Sequence, residues 1–282
     1  MQNINQHKQK TNIIQIYGIM TRIIKLYNRF HLGDQIFNFI LFYNIKEYIE
    51  SHKIKIHYYC EKQYHYQLSE FKCSKNIEIF EYSPHLNMTD ALHVWVGDQI
   101  FNTCWYNKCD EFQGKQNIYY VAFFNEVLQT LRIPQTFKTL EYEDPDLLAR
   151  YTNINKKCNS KYTELDFLII NSTARSGQYY RDDAEWNPLI LKLNEKYKIV
   201  TTEKVKGVHC TQDDNLTVKD IAAISTKAKK IIAVNSGVVP GLFNTYTLNN
   251  VDIIYTFSYA DCHEHPKIVS MTNINDLNVL LV

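Results

Sequence analysis

Asp166-Phe-Leu-Ile-Ile-Asn-Ser-Thr-Ala-Arg-Ser-Gly177 sets a short run of β-branched and aromatic residues against a loop of small residues that carries one Arg. The run reads as a strand and the loop as its carboxyl-end turn. Small residues let backbone N–H groups approach a phosphate, and an Arg can grip one with two parallel hydrogen bonds. Downstream, strand-like runs alternate with segments of helical period: a helix near Asp183 to Glu195, a strand Lys198 to Thr202, a helix near Val218 to Ala228, and strands Lys230 to Val234 and Val251 to Phe257. That alternation predicts a parallel sheet with crossover helices.

Upstream, the same pattern occurs once more. Strands are expected near Ile23 to Tyr27, Lys53 to Tyr59, Ile77 to Tyr82 and Leu92 to Val96, with helices near Gln35 to Ser51 and Ile118 to Leu131. Between Ile133 and Tyr162 the sequence carries two Pro, clustered charge and no sustained apolar period, as an interdomain linker does. The chain is therefore read as an α/β protein of two Rossmann-like lobes with a cleft between them, residues 1–150 and 151–282.

The 282 residues include 45% hydrophobic and 22% charged side chains, enough apolar surface for a core and too little charge for a disordered chain. Lys and Arg number 31 against 30 Asp and Glu, a net charge of +1, so no general electrostatic footprint for nucleic acid or anionic lipid exists and any anion site must be local. Seven scattered Cys without a Cys-x-x-Cys pair argue against a disulfide framework and for a reducing compartment, read as the cytoplasm. The most apolar stretch, Ile36 to Ile45, falls short of the roughly 20 residues that span a bilayer, and the amino-terminal segment lacks a secretory cleavage pattern.

Asn28-Arg-Phe-His-Leu-Gly-Asp34 follows a strand and opens an amphipathic helix, which puts the Asp34 carboxylate at the mouth of a sheet, where it could accept a proton from a bound hydroxyl. Gly33-Asp-Gln-Ile-Phe-Asn38 recurs as Gly97-Asp-Gln-Ile-Phe-Asn102 after another apolar run. The echo is explained equally by shared helix-start chemistry, with Asp as the cap, or by function. His31 and Gly33, with Asp98, Gln99 and Trp105 beside the second copy, are the acceptor-side candidates. On the other lobe, Lys230-Ile-Ile-Ala-Val234 ends in Asn235-Ser-Gly237 and Val238, where an expected helix start would offer N–H groups to an anion.

Asn171-Ser-Thr-Ala-Arg-Ser-Gly177, Trp186-Asn-Pro188, Leu216 to Ile224 and Ile231 to Gly237, with Gly33-Asp34 after the first strand, resemble the heptosyltransferase-like group (glycosyltransferase family 9) of GT-B glycosyltransferases. The resemblance covers residues 22–52 and 166–257. It departs from the family in two motifs: Asn235-Ser-Gly-Val238 stands for Asp-Ser-Gly-Pro, and Ala184-Glu185 stands where a Lys often precedes Trp-Pro. Phosphate neutralisation would then fall to Arg175 or Arg181. The resemblance implies a nucleotide-diphosphate sugar held mainly by the C-terminal lobe and a glycan or other hydroxyl acceptor held by the N-terminal one. It further implies no metal or cofactor, and Asp34 as the base of an inverting transfer. It implies donor contacts from Thr173, Arg175, Ser176, Gly177, Arg181, Asn235, Ser236, Gly237 and Val238, with Thr201, Thr202 and Glu203 against the ribose or base.

Three other readings stay open. Leu32-Gly-Asp-Gln-Ile-Phe37 also resembles a fucosyltransferase segment, which would make the donor a guanosine diphosphate sugar. The same architecture serves sugar-nucleotide epimerases. The altered donor motifs also suit a non-catalytic glycan-binding protein. Cys262-His-Glu-His265 is too compressed for an ordinary tetrahedral metal site, and the aromatic stretch Tyr58 to Tyr66 is mostly background in a chain with 21 Tyr.

Overall fold

A computed structural model describes residues 21–281 apart from 86, 105–115, 175–176, 178 and 259–264, with backbone alone at 116–119 and 278. In chain order the first lobe contains β1 (Arg22–Tyr27), α1 (Leu32–Asn44), α2 (Lys46–Ser51), β2 (Ile54–Cys60), α3 (His65–Glu70), β3 (Ile77–Glu81), β4 (Leu92–His93) and α4 (Gln116–Thr130). After α5 (Asp146–Lys157) come β5 (Phe167–Ile170), α6 (Asp183–Lys196), β6 (Ile199–Thr201), α7 (Val218–Ser225), β7 (Lys230–Val234), α8 (Thr245–Asn250), β8 (Ile253–Phe257), β9 (Ile268–Met271) and α9 (Ile274–Leu281). The strands form two sheets, ordered β3-β2-β1-β4 and β6-β5-β7-β8-β9, and every pairing is parallel.

The period of two along a strand divides the second sheet between two apolar clusters. Leu168 and Ile170 of β5, with Ile231 and Ala233 of β7, face one; Phe167 and Ile169, with Ile232 and Val234, face the other. The second cluster closes over Trp186, Leu189, Phe257 and Leu277. The first continues without a break into the N-terminal lobe through Ile221 and Ala222 of α7, Leu147 of α5, Phe124 of α4, and Leu26 and Phe39. The two lobes thus share one core.

Polar contacts reinforce the junction. Arg150 Nη1 of α5 reaches Glu70 Oε2 of α3 at 2.6 Å and Asp220 Oδ1 of α7 at 2.9 Å. Thr217 Oγ1 donates to the same Glu70 oxygen at 2.9 Å, and the Val218 amide donates to Gln67 Oε1 at 3.0 Å. Lys219, itself buried, pairs with Asp144 and Asp146 at 2.9 and 3.1 Å.

Four local expectations differ from the structure. The single helix expected over residues 35–51 breaks at Ile45 (φ −108°, ψ 11°) into α1 and α2. The stretch read as linker holds α5, which runs through residue 150. Its Leu147, Tyr151 and Ile154, with Cys158 at its C-cap, form an apolar stripe at helical spacing that packs into the shared core. The second Gly-Asp-Gln-Ile-Phe-Asn starts no helix: residues 97–102 form turns, with Ile100 63% exposed where its counterpart Ile36 is fully buried. β9 and α9 extend the second lobe beyond the last expected strand. No helix among the described residues is long and apolar enough to cross a membrane.

Candidate functional site

A cavity of about 410 Å³ opens between the lobes where the strands of both sheets end. From the first lobe it is lined by His31 to Asp34 and Phe37, by Gln63, Tyr64 and Gln67 after β2, and by Tyr120. From the second it is lined by Ser172 and Thr173 after β5, Glu203 after β6, and Asn235 to Val238 with Pro240 after β7. Crevices at the carboxyl ends of parallel strands are where open α/β folds bind ligands, and the volume suits a small organic molecule.

Asp34 lies in the first turn of α1, whose N-cap is His31, and it does not serve as the cap. Its Oδ1 instead accepts a hydrogen bond from Tyr120 Oη at 3.2 Å. Burial among the residues of the cavity wall pushes the carboxyl up from 3.8 to about 6, against the opposing pull of the Tyr120 hydrogen bond and the nearby His31. A carboxylate with that midpoint is ionised near neutrality yet is a better proton acceptor than an ordinary Asp.

Facing Asp34 is the turn after β7. Ser236 Oγ lies 3.0 Å from Ser172 Oγ, so the loops after β5 and β7 are tied across the sheet. The helix expected after Gly237 is only a four-residue 3₁₀ turn, Val239–Leu242, because Phe243 ends it and Asn244 caps α8 separately. An extended helix dipole is therefore not aimed at this turn.

Asn171, buried at the end of β5, organises the neighbouring loop. Its Oδ1 accepts from the Thr202 and Glu203 amides at 3.1 and 2.8 Å, and its Nδ2 donates to Glu203 O at 3.1 Å. These bonds place Glu203 at the cavity. Thr201 and Thr202 are buried, with their hydroxyls bonded inside the protein, so of the three residues expected near a ribose or base only Glu203 lines the space.

Other expected residues lie elsewhere. Arg181 Nη1 donates to Asn171 O, while Nη2 pairs with Asp183 and lies 3.7 Å from Glu203; the guanidinium braces the β5 and β6 loops and does not line the cavity. Gly177 (φ +71°) lies outside the cavity too. Asp98 Oδ2 is 2.7 Å from His93 Nδ1, and its Oδ1 accepts from the Ile100 amide; neither Asp98 nor Gln99 lines the cavity. Half-buried Trp95, beside the second Gly-Asp, stacks on Phe30 at 3.7 Å between centroids and packs against Gly97, and it does not line the cavity. Arg175, Ser176 and Trp105 lie outside the described residues, as do Cys262, His263 and Glu264. Among the described residues no Lys or Arg lines the cavity, and no group of three or more His, Cys, Asp or Glu side chains could hold a metal ion.

Tyr120, Phe37, Gln63 and Gln67 were not singled out from sequence; Ser172 stood in the loop read as approaching a phosphate, and Tyr64 in the aromatic stretch set aside as background. Gln63 and Gln67 follow the carboxyl end of β2 as the expected residues follow β1, β5 and β7, so strand position was the available signal. Tyr120 had none, since helix α4 brings it in from outside any strand–loop unit.

No protein-family model matches the chain, and no curated protein does. Its structure is similar to that of the glycosyl transferase family 9 from Veillonella parvula, with 9% identity over 92% of this chain and 90% of that one and a TM-score of 0.53. It is similar to E. coli heptosyltransferase WaaC with ADP-2-deoxy-2-fluoro heptose, with 12% identity over 88% of this chain and 92% of that one and a TM-score of 0.54. The same enzyme with ADP gives 12% identity, 88% and 90% coverage and a TM-score of 0.53. At these identities the likeness establishes the fold: two parallel sheets and their helices in the GT-B arrangement of heptosyltransferases, as the resemblance in the sequence implied.

Proposed function

We propose that this protein is a glycosyltransferase that moves a sugar from a nucleotide-diphosphate sugar to an acceptor hydroxyl in the inter-lobe cavity. The observation that carries the reading is Asp34: a carboxylate at the carboxyl end of β1, raised to about 6, on a cavity wall opposite the turn Asn235 to Val238. In this reaction Asp34 takes the acceptor's hydroxyl proton as its oxygen attacks the anomeric carbon. The bond from that carbon to the diphosphate breaks, the nucleoside diphosphate leaves with the electron pair, and the configuration inverts. Hydroxyl and amide donors of Ser172, Thr173 and Ser236 to Val238 hold the diphosphate, joined by Arg175, and Glu203 takes the ribose. Stabilisation of the leaving group by fixed donors needs no metal. E. coli WaaC is bound to ADP and an ADP-heptose analogue, which makes an adenosine diphosphate sugar the first donor to try, and the cytoplasm, where such donors would be supplied, the compartment to look in.

The test is a thermal-shift and calorimetric comparison of ADP, UDP, GDP, CMP and their sugar conjugates, with and without EDTA. A ligand at 100 times its dissociation constant stabilises a fold by about 2.7 kcal/mol. Selective binding of one nucleoside diphosphate that survives EDTA, with transfer abolished in Asp34→Asn and donor affinity kept, supports the proposal. Full transfer activity in Asp34→Asn removes Asp34 as the base.

One observation favours a second reading. With no Lys or Arg among the described residues of the cavity wall, a non-catalytic protein that binds a neutral glycan fits the same space, and it would show glycan binding with no nucleotide response.

A further inference from the structure

We propose that Tyr120 is the positioning residue for Asp34: its hydroxyl fixes one carboxylate oxygen and so presents the other to the substrate hydroxyl. The inference rests on the reading of Asp34 as the base and adds a residue that no motif of the sequence indicated. Tyr120 Oη lies 3.2 Å from Asp34 Oδ1. The Tyr120 ring stacks on Phe37 at 4.1 Å between centroids and 28° between planes, and Phe37 follows Asp34 by one turn on the same face of α1. Ring and hydroxyl therefore grip two neighbouring side chains of one helix, and both residues line the cavity. The grip is rigid because α4 is anchored behind it: Phe123, Phe124 and Val127 are buried in the core that the lobes share.

The consequence for chemistry follows from where the proton sits. The tyrosine hydroxyl donates to Oδ1, so it favours the ionised carboxylate against the burial that favours the neutral acid. On this proposal Oδ2 takes the proton of a substrate hydroxyl. Tyr120 acts through Asp34 and does not exchange a proton with substrate.

The test uses the full chain labelled with ¹³C at the aspartate carboxyl carbons, titrated by NMR as wild type and as Tyr120→Phe, with Asp34→Asn identifying the resonance. Phe keeps the ring on Phe37 and removes only the hydroxyl. The Asp34 midpoint should rise by about one pH unit, a tenfold loss of ionised fraction below the midpoint. With ADP-heptose as donor probe, the acid limb of the turnover profile should move up by the same amount while the alkaline plateau is kept. A purely structural role would lower the rate equally at every pH and leave the midpoint where it was, and that result overturns the proposal. Tyr120→Trp, which restores bulk without a correctly placed hydroxyl, should behave as Tyr120→Phe does; a wild-type midpoint in both variants overturns the proposal even if either is less stable. The NMR arm needs no sugar donor, so a Tyr120-dependent midpoint in a protein that transfers nothing would defeat the transferase reading alone.

Discussion

Gly33 and Gly237 bring the two lobes together backbone to backbone at the edge of the cavity. A Cβ on Gly33 would stand 3.2 Å from Gly237 Cα, and one on Gly237 would stand 3.3 Å from Gly33 N. Neither residue needs glycine for a left-handed backbone; each needs it for the approach. Both glycines line the cavity between Asp34 and the Ser236 turn.

An alanine at either position has to push backbone, which cannot rotate away as a side-chain tip can. Gly237→Ala should destabilise by ~1–3 kcal/mol, the usual cost of overpacking, and should widen the cavity. Gly33→Ala gains up to ~1 kcal/mol of helix propensity in the first turn of α1, so it should be the milder of the pair. Denaturant melts of both variants decide the matter: an unchanged midpoint for Gly237→Ala would mean that the lobes are not in contact there.

The Asp34 carboxyl is raised from 3.8 to about 6 in the folded chain, so between those values the folded chain retains a proton that the unfolded chain has released. Stability falls as pH rises through this window and the contribution is lost above about 6. Asp34→Asn removes that penalty. At pH 8 the variant should be more stable than its parent by up to ~3 kcal/mol for a two-unit shift, less where water in the cavity screens the charge. Below about pH 4 the two should melt alike. Melting temperatures across pH 3 to 8 test this, and a constant offset at all pH values would contradict it.

Arg150 stands between carboxylates of two lobes, Glu70 and Asp220, and Thr217 shares Glu70 with it. Its removal leaves two like charges partly buried and facing each other. Arg150→Ala should cost ~2–4 kcal/mol, towards the figure for breaking a buried pair, and Arg150→Lys should recover much of it, because a single nitrogen, Nη1, makes both contacts and an ammonium can donate to two carboxylates. A double-mutant cycle with Asp220→Asn should give a coupling of ~1 kcal/mol or more; additive effects would show that the bridge carries no stability.

Asn171 satisfies two amides and one carbonyl of the loop after β6 from a buried position. Asn171→Ala strands the Glu203 amide and carbonyl, while the Thr202 amide keeps Ile169 O, at ~1–3 kcal/mol for unmet buried partners, and frees Glu203 from the cavity wall. Nucleotide affinity in the calorimetric screen should therefore fall together with stability, whereas Thr201→Val, which alters the same strand away from the cavity, should lower stability alone.

The sheets were legible because unbroken apolar strands leave a clear mark, and Asp34, Ser236 and Gly237 were found because they follow such strands. The Gly-Asp-Gln-Ile-Phe-Asn repeat marks the limit of local reading. In α1 its Ile36 and Phe37 enter the core, whereas at residues 97–102 Asp98 is drawn to His93 and the same six residues make turns. Tertiary surroundings chose between the two conformations, as they routinely override propensity. The stripe of α5 was hidden for another reason: its charged positions, among them Asp146 and Arg150, are the ones that bind the lobes together, and in sequence they look like a solvated linker. Tyr120 reaches Asp34 through tertiary packing alone.

The core that runs unbroken from Leu26 to Ile231 makes this chain a poor source of interchangeable parts. A cut at the junction would expose the apolar sides of α5 and α7 on one fragment and of α1 and α3 on the other, so neither fragment is expected to be soluble by itself. Hybrid proteins that graft a different second lobe onto residues 21–145 would inherit a mismatched seam. What the cavity binds is better altered by changing the loops at Thr173 and Glu203, which border it without joining the two halves.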